Sequence, residues 1–252
     1  MSPSFLKRVL LVVGLLGALS ASAYVLPGGS IMRRLVMARE ELGLSTLKAD
    51  GSLLFYGAAV KEAGSALGLP TDRPELDVDA TVSLKVPGRC RLETKVTAGN
   101  PLAIVYNQGR KRVEGTEVPA LSEAMRQVCN LIAIRGQEGG EGREALEAHL
   151  RSLGIEPRTT SLARFDGEVV FVLGTPGEGK PQFWVYKDGF RPARVRYTDK
   201  GGAWDVRFLD YTSPATGEAM PRTLEVWRDG QRLVRFTALQ GDTRAKLDDK
   251  LF

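Results

Sequence analysis

Histidine occurs once in the 252 residues, at His149, and cysteine twice, at Cys90 and Cys129. These side chains could serve as a general base, a nucleophile or a metal ligand near neutral pH. A Ser-His-Asp triad or a zinc site would need His149 plus partners at recognisable spacing, and the sequence has none. His149 falls instead among Ala145, Leu146, Leu150 and Leu153, on the apolar side of a helical pattern, where a half-buried structural histidine is the simpler reading. The cysteines are too far apart for a CxxC redox pair, and no phosphate-binding loop, GxSxG or GxGxxG stands in a strand-turn-helix context. Asp248-Asp249 near the end read as solvated residues. The sequence thus predicts no enzyme, no metal site and no cofactor.

The chemistry left to the cysteines depends on where the chain resides. Lys7 and Arg8 precede an uncharged apolar run from Val9 to Leu19, and Ala21-Ser22-Ala23 supplies the small residues of a signal-peptidase site, so residues 1–23 read as a cleavable signal peptide. The run is shorter than the roughly 20 residues of a spanning helix, which makes an uncleaved anchor the weaker alternative. No cysteine follows the cleavage region to carry a lipid. Residues 24–252 are then expected to form a single exported domain, a monomer, because no linker-like tract divides them. In an oxidising compartment the even cysteine count predicts one disulfide, with two buried free thiols as the alternative. Loss of Lys7 and Arg8 with the signal peptide lowers the net charge from +5 to +3, too small to imply nucleic acid, and Arg110-Lys111-Arg112 reads as a solvated turn.

The elements that would position these residues follow from periodicity. From Glu75 to Val86, Leu76, Val78, Ala80, Val82, Leu84 and Val86 alternate with charged or polar residues. After Pro87-Gly88 the alternation resumes through Cys90, Leu92, Thr94 and Val96, so two adjacent antiparallel strands are expected, with one apolar face. Cys90 lies on that apolar parity and Cys129 in the helical pattern Pro119–Ile134, so a bond would tie a helix to the inner sheet face. A first helix is expected after Ser30 as its cap, with Arg39 on its polar side, then a strand interrupted at Asp50-Gly51 and a short helix over 58–67. From Ser161 onward the chain reads as a meander, with Asp188-Gly189 and Asp229-Gly230 at hairpin turns. The fold class is mainly β with helices (α+β). About ten or eleven antiparallel strands should curl into an incomplete barrel under a helical lid, because a twisted sheet of that width rarely stays open. Such a barrel either fills itself with side chains or holds an apolar ligand.

The order of signal peptide, first helix, strands, lid helices and long meander, with Lys85-Val86-Pro87-Gly88-Arg89-Cys90-Arg91-Leu92, Asn107-Gln108-Gly109-Arg110 and Lys246-Leu247-Asp248-Asp249-Lys250-Leu251-Phe252, resembles the LolA-like periplasmic lipoprotein carrier family. The resemblance implies a periplasmic carrier that shelters lipoprotein acyl chains, or another lipid, between the sheet and the lid. It also implies inner-membrane donor and outer-membrane acceptor proteins as partners. Val82, Leu84, Leu92 and Val96 would line the cavity from the sheet, and Met125 and Leu131 from the lid. One position departs from the pattern. The best-known carriers place a lid-closing arginine directly before the strand-turn proline, where this chain has Val86, and Lys85 one residue earlier faces the other way. Two alternatives accompany this expectation. One is a lipid-sensing envelope regulator on an RseB-like scaffold, which would need a further C-terminal domain beyond Phe252; the other is a structural envelope protein with no ligand.

Overall fold

The computed structural model describes residues 25–135 and 140–252, so the expected signal peptide, residues 1–23, lies outside the described residues. The first elements are α1 (Gly28–Glu41), β1 (Thr46–Tyr56), α2 (Ala58–Leu67), β2 (Glu75–Lys85), β3 (Arg89–Lys95), β4 (Ala103–Asn107) and β5 (Arg110–Glu114). Two helices follow, α3 (Pro119–Leu131) and α4 (Glu141–Ser152). The meander is β6 (Thr160–Phe165), β7 (Glu168–Leu173), β8 (Gln182–Tyr186), β9 (Pro192–Asp199), β10 (Gly202–Leu209), β11 (Thr223–Arg228) and β12 (Gln231–Asp242). All these strands form one antiparallel sheet of 12, in the order β5-β4-β3-β2-β1-β12-β11-β10-β9-β8-β7-β6. The last strand pairs with the first, which joins the two halves of the chain into one layer.

The sheet exceeds the expected ten or eleven strands because Arg110–Glu114, read as a solvated turn over its basic residues, is a strand. It pairs with β4 at the sheet edge, where its basic side chains suit both solvent and the avoidance of edge pairing, while Val113 packs on the core and Glu114 accepts from Arg91 of β3. The first helix also begins earlier than expected. Pro27 precedes it, and the Pro27 carbonyl accepts the N–H groups of Ser30 and Ile31, so Ser30 lies inside the helix and caps nothing. Gly28 permits this start, since a Cβ there would sit 1.7 Å from the Pro157 carbonyl oxygen. Asp50-Gly51 does not break β1; β12 bulges opposite it, leaving Leu239 unpaired, and the Thr237 carbonyl approaches Gly51 too closely for any side chain.

Side-chain parity sorts the sheet into two faces. Leu47, Ala49, Leu53 and Phe55 of β1 stand beside Leu84, Val82, Val78 and Leu76 of β2, and all are buried in the main apolar cluster. The same cluster includes residues of α1, α2, α3 and α4, so this is the face the helices cover. Tyr106 on β4 and Tyr197 on β9 are seven strand spacings apart, roughly 34 Å in a flat sheet. Yet the Tyr106 hydroxyl donates to the Ser122 carbonyl, and Arg126, one turn further along α3, donates to the Tyr197 hydroxyl. One helical turn, about 6 Å along the axis, separates these contacts, which only a sheet curled around the helix allows. The helix-covered face is therefore the concave one.

Candidate apolar site beneath the lid helix

Beneath α3 the site is built from β2 and β3. Val82 stands opposite Leu92, and Leu84 opposite Cys90. The Cys90–Cys129 disulfide, with Cα atoms 5.7 Å apart, fixes α3 over this pair of strands. Met125 and Leu131 of α3 are fully buried, as are Val82 and Leu84, and Leu92 is 1% exposed. Five of the residues predicted to line the site thus meet in one apolar layer. Val96 lies just past the end of β3, half-buried at the margin of the same cluster. The layer is closed by its own side chains. A cleft of about 360 Å³ opens at its edge, lined by Pro87, Gly88, Gln108, Cys129, Ile134 and Ala145 among others.

Polar groups are gathered at the side of the layer where α3 meets α4 and β9. Glu123 Oε1 accepts from Gln127 Nε2 at 2.8 Å, and Gln127 Oε1 lies 2.9 Å from His149 Nε2 on α4. Arg126 donates to Glu123 Oε2 at 2.9 Å and also to the Tyr197 hydroxyl. Burial raises the Glu123 carboxyl above the usual carboxylate range, while Arg126 beside it pulls the other way. Burial, with the positive charge of Arg126, pushes the His149 imidazole down to about 4. His149 is thus neutral at pH 7 and hydrogen-bonded to an amide, with no nucleophile or carboxylate bonded to it among the described residues. The cluster fastens helix to helix and helix to strand. It bears out a half-buried structural histidine and adds a carboxylate, Glu123, that the apolar stripe of α3 did not reveal.

No protein-family model matches the sequence, and no curated protein matches it. Among solved structures, a LolA superfamily protein from Nitrosomonas europaea superposes with a TM-score of 0.51 at 13% identity, over 90% of this chain and 98% of that one. The fold is LolA-like. Lower scores are found for a domain described as an outer membrane lipoprotein-sorting protein from Vibrio parahaemolyticus (0.44, 17% identity, 88% of this chain and 94% of that one). MucB scores 0.33 at 14% identity; the match covers 88% of this chain and 60% of MucB.

Val86 stands where the resemblance leads to the expectation of an arginine, and Lys85 points to the opposite face and pairs with Asp249. Arg39 of α1 lies beside Val86. Its guanidinium donates to Ile132 O at 3.1 Å, just past α3, and to Glu218 O at 3.0 Å and Ala219 O at 2.6 Å. Arg39 is 4% exposed, and Arg39, Val86 and Ile132 border the same small gap. Burial lowers its pKa from the usual arginine value, but three carbonyl acceptors suit a guanidinium that stays charged. The sequence reading placed Arg39 on the polar side of α1. The signal for burial was its spacing, since Ile31, Leu35 and Arg39 follow one another at i, i+4, i+8 on the apolar stripe. The terminal Leu247–Phe252 segment lies on the outer face, where Asp249 takes Lys85 and Arg89 and Asn107 donates to Phe252 O at 3.3 Å. Asp249 is exposed, as its solvated reading expects, and it also ties the tail to Lys85 and Arg89.

Proposed function

We propose that this protein is a periplasmic carrier, not an enzyme, that takes lipoprotein acyl chains or another lipid into the layer between the concave sheet face and α3. The observation that supports this most is the division of labour around α3. Its underside is apolar, through Met125 and Leu131, whereas polar contacts fasten its margins: Arg39 to Ile132 O, and Arg126 to Tyr197. Polar fastenings exchange with water at small net cost when a lid lifts, whereas an apolar underside needs another apolar surface. An acyl chain supplies one. Each methylene buried gains about 0.8 kcal/mol, so a long chain recovers roughly 10 kcal/mol against the side-chain contacts it displaces. On this account Val82, Leu84, Leu92, Val96, Met125 and Leu131 line the opened site, and the disulfide keeps α3 attached while Arg39 is its latch. Residues 24–252 act as one exported domain after loss of residues 1–23, and the cargo passes between a donor at the inner membrane and an acceptor at the outer membrane.

Native mass spectrometry of protein released from the periplasm without detergent tests this. Lipid adducts that disappear on organic extraction are the expected result. Ligand-free protein that also fails to take up added lipid would count against the proposal.

A further inference from the structure

The convex face of β8–β12 carries groups that the carrier proposal leaves unused. Strand register lines them up in two adjoining rows across the sheet. One row runs Arg235, Glu225, Arg207, Arg194, Trp184. The other runs Arg232, Trp227, Asp205, Arg196, Gln182. The ten positions hold five arginines, two carboxylates and no lysine, a surplus of three positive charges.

The two carboxylates are already committed. Asp205 accepts from Arg194 Nε at 2.7 Å and from Arg207 at 2.8 Å. Glu225 accepts from Trp227 Nε1 at 2.9 Å and from Arg232 at 3.1 Å, leaving Arg235 at 3.8 Å. Arg196 reaches neutral oxygens, on Gln182 at 2.7 Å and Gly177 at 3.3 Å. The Nε atoms of Arg196 and Arg235 are buried without a hydrogen-bond partner among the described residues. A ladder made only to stiffen the sheet would balance its charges, because like charges on neighbouring strands repel.

Tryptophan holds the arginines in place. The Arg207 guanidinium lies 4.1 Å from the Trp227 ring centre and that of Arg194 lies 4.9 Å from Trp184. Stacked guanidinium groups are ordered before any partner arrives, which lowers the entropy cost of docking. Arginine and tryptophan without lysine is the composition of protein-binding hot spots. The terminal segment covers the outer side of β2–β4, and leaves these rows free.

We infer that the convex face of β8–β12 is a docking surface for a partner protein that presents a carboxylate-rich segment. Carboxylates supply the missing charge, and they pair with the Nη ends of the part-exposed Arg207, Arg232 and Arg235. The surface is independent of the acyl-chain site, so either can fail without the other.

Arg196→Gln with Arg235→Gln removes the two arginines least tied to the ladder and keeps every guanidinium–carboxylate hydrogen bond. The probe is a fluorescein-labelled glutamate-rich peptide, followed by anisotropy at several salt concentrations. Wild type should bind it at low salt, and the double variant about tenfold more weakly with a shallower salt dependence. Circular dichroism and thermal melting should show an unchanged fold; if the pair unfolds, each single variant carries the test with about a threefold loss. The inference is overturned if wild type does not bind the peptide, if the variants bind it equally, or if phosphatidylglycerol vesicles bind with the same arginine dependence while the peptide does not.

Discussion

The two faces of β10, β11 and β12 are made by alternate residues of the same strands, yet they behave as different materials. Val206, Val226 and Val234 point to the concave side and are no more than 1% exposed, while their neighbours Asp205, Arg207, Glu225 and Arg235 form the charged rows of the convex side. A side-chain period of two lets one backbone carry an apolar layer under a helix and an arginine-rich surface at once. The faces also differ in what fastens them. The concave layer is held by burial, one disulfide and a few polar contacts at its rim; the convex rows are held by stacking and shared carboxylates. Stability should therefore reside mainly on the concave side, and recognition by charge on the convex side.

The largest effect expected is on the concave side. Replacing Cys90 and Cys129 together by serine opens a loop of 39 residues and should cost about 4 kcal/mol in urea unfolding. Leu92→Ala, which leaves a cavity between β3 and α3, should cost about 3 kcal/mol by the same measurement. Arg39→Met leaves three carbonyls without their donor and should cost about 2 kcal/mol. That loss should be accompanied by faster amide exchange around Ile132 and Ala219, and an unchanged exchange pattern there would remove Arg39 as a latch. On the convex side Arg207→Gln should cost no more than about 1 kcal/mol, since its partner Asp205 keeps Arg194. Equal losses on both faces would break the comparison.

A pH titration sharpens it further. The His149 imidazole is lowered from 6.5 to about 4 in the fold, so between those values the unfolded chain binds a proton that the folded chain does not. His149 thus makes stability fall as pH drops from about 6.5 towards 4. The raised carboxyl of Glu123 acts in the opposite sense, because its neutral form is favoured by the fold. His149→Gln should flatten the acid limb of a plot of stability against pH, and a plot identical to wild type would contradict the assignment.

Much of the concave side was legible in the residues. Alternation over Glu75–Val96 located β2 and β3, and the parity of Cys90 with the helical setting of Cys129 anticipated their bond. What escaped has physical reasons. Arg110–Glu114 carries no alternation, because at the sheet edge its three basic residues all meet solvent and Val113 is its one apolar residue. Arg39 escaped because charge was taken to mean exposure, although a guanidinium with three carbonyl acceptors is tolerated in a core. Single strands show the polar parity of Asp205, Arg207 and Arg235, but not the convex rows. They exist only once register places Arg194 beside Trp184 and Arg207 beside Glu225.

Titration with a dansyl-labelled fatty acid tests the central claim most directly. It should use the Trp184→Phe/Trp227→Phe variant, whose remaining tryptophan, Trp204, is 7% exposed in the concave cluster. The account predicts saturable, blue-shifted dansyl emission sensitised by Trp204 and displaced by unlabelled fatty acid. Dansyl emission that stays at its aqueous wavelength, with no transfer from Trp204, would contradict it.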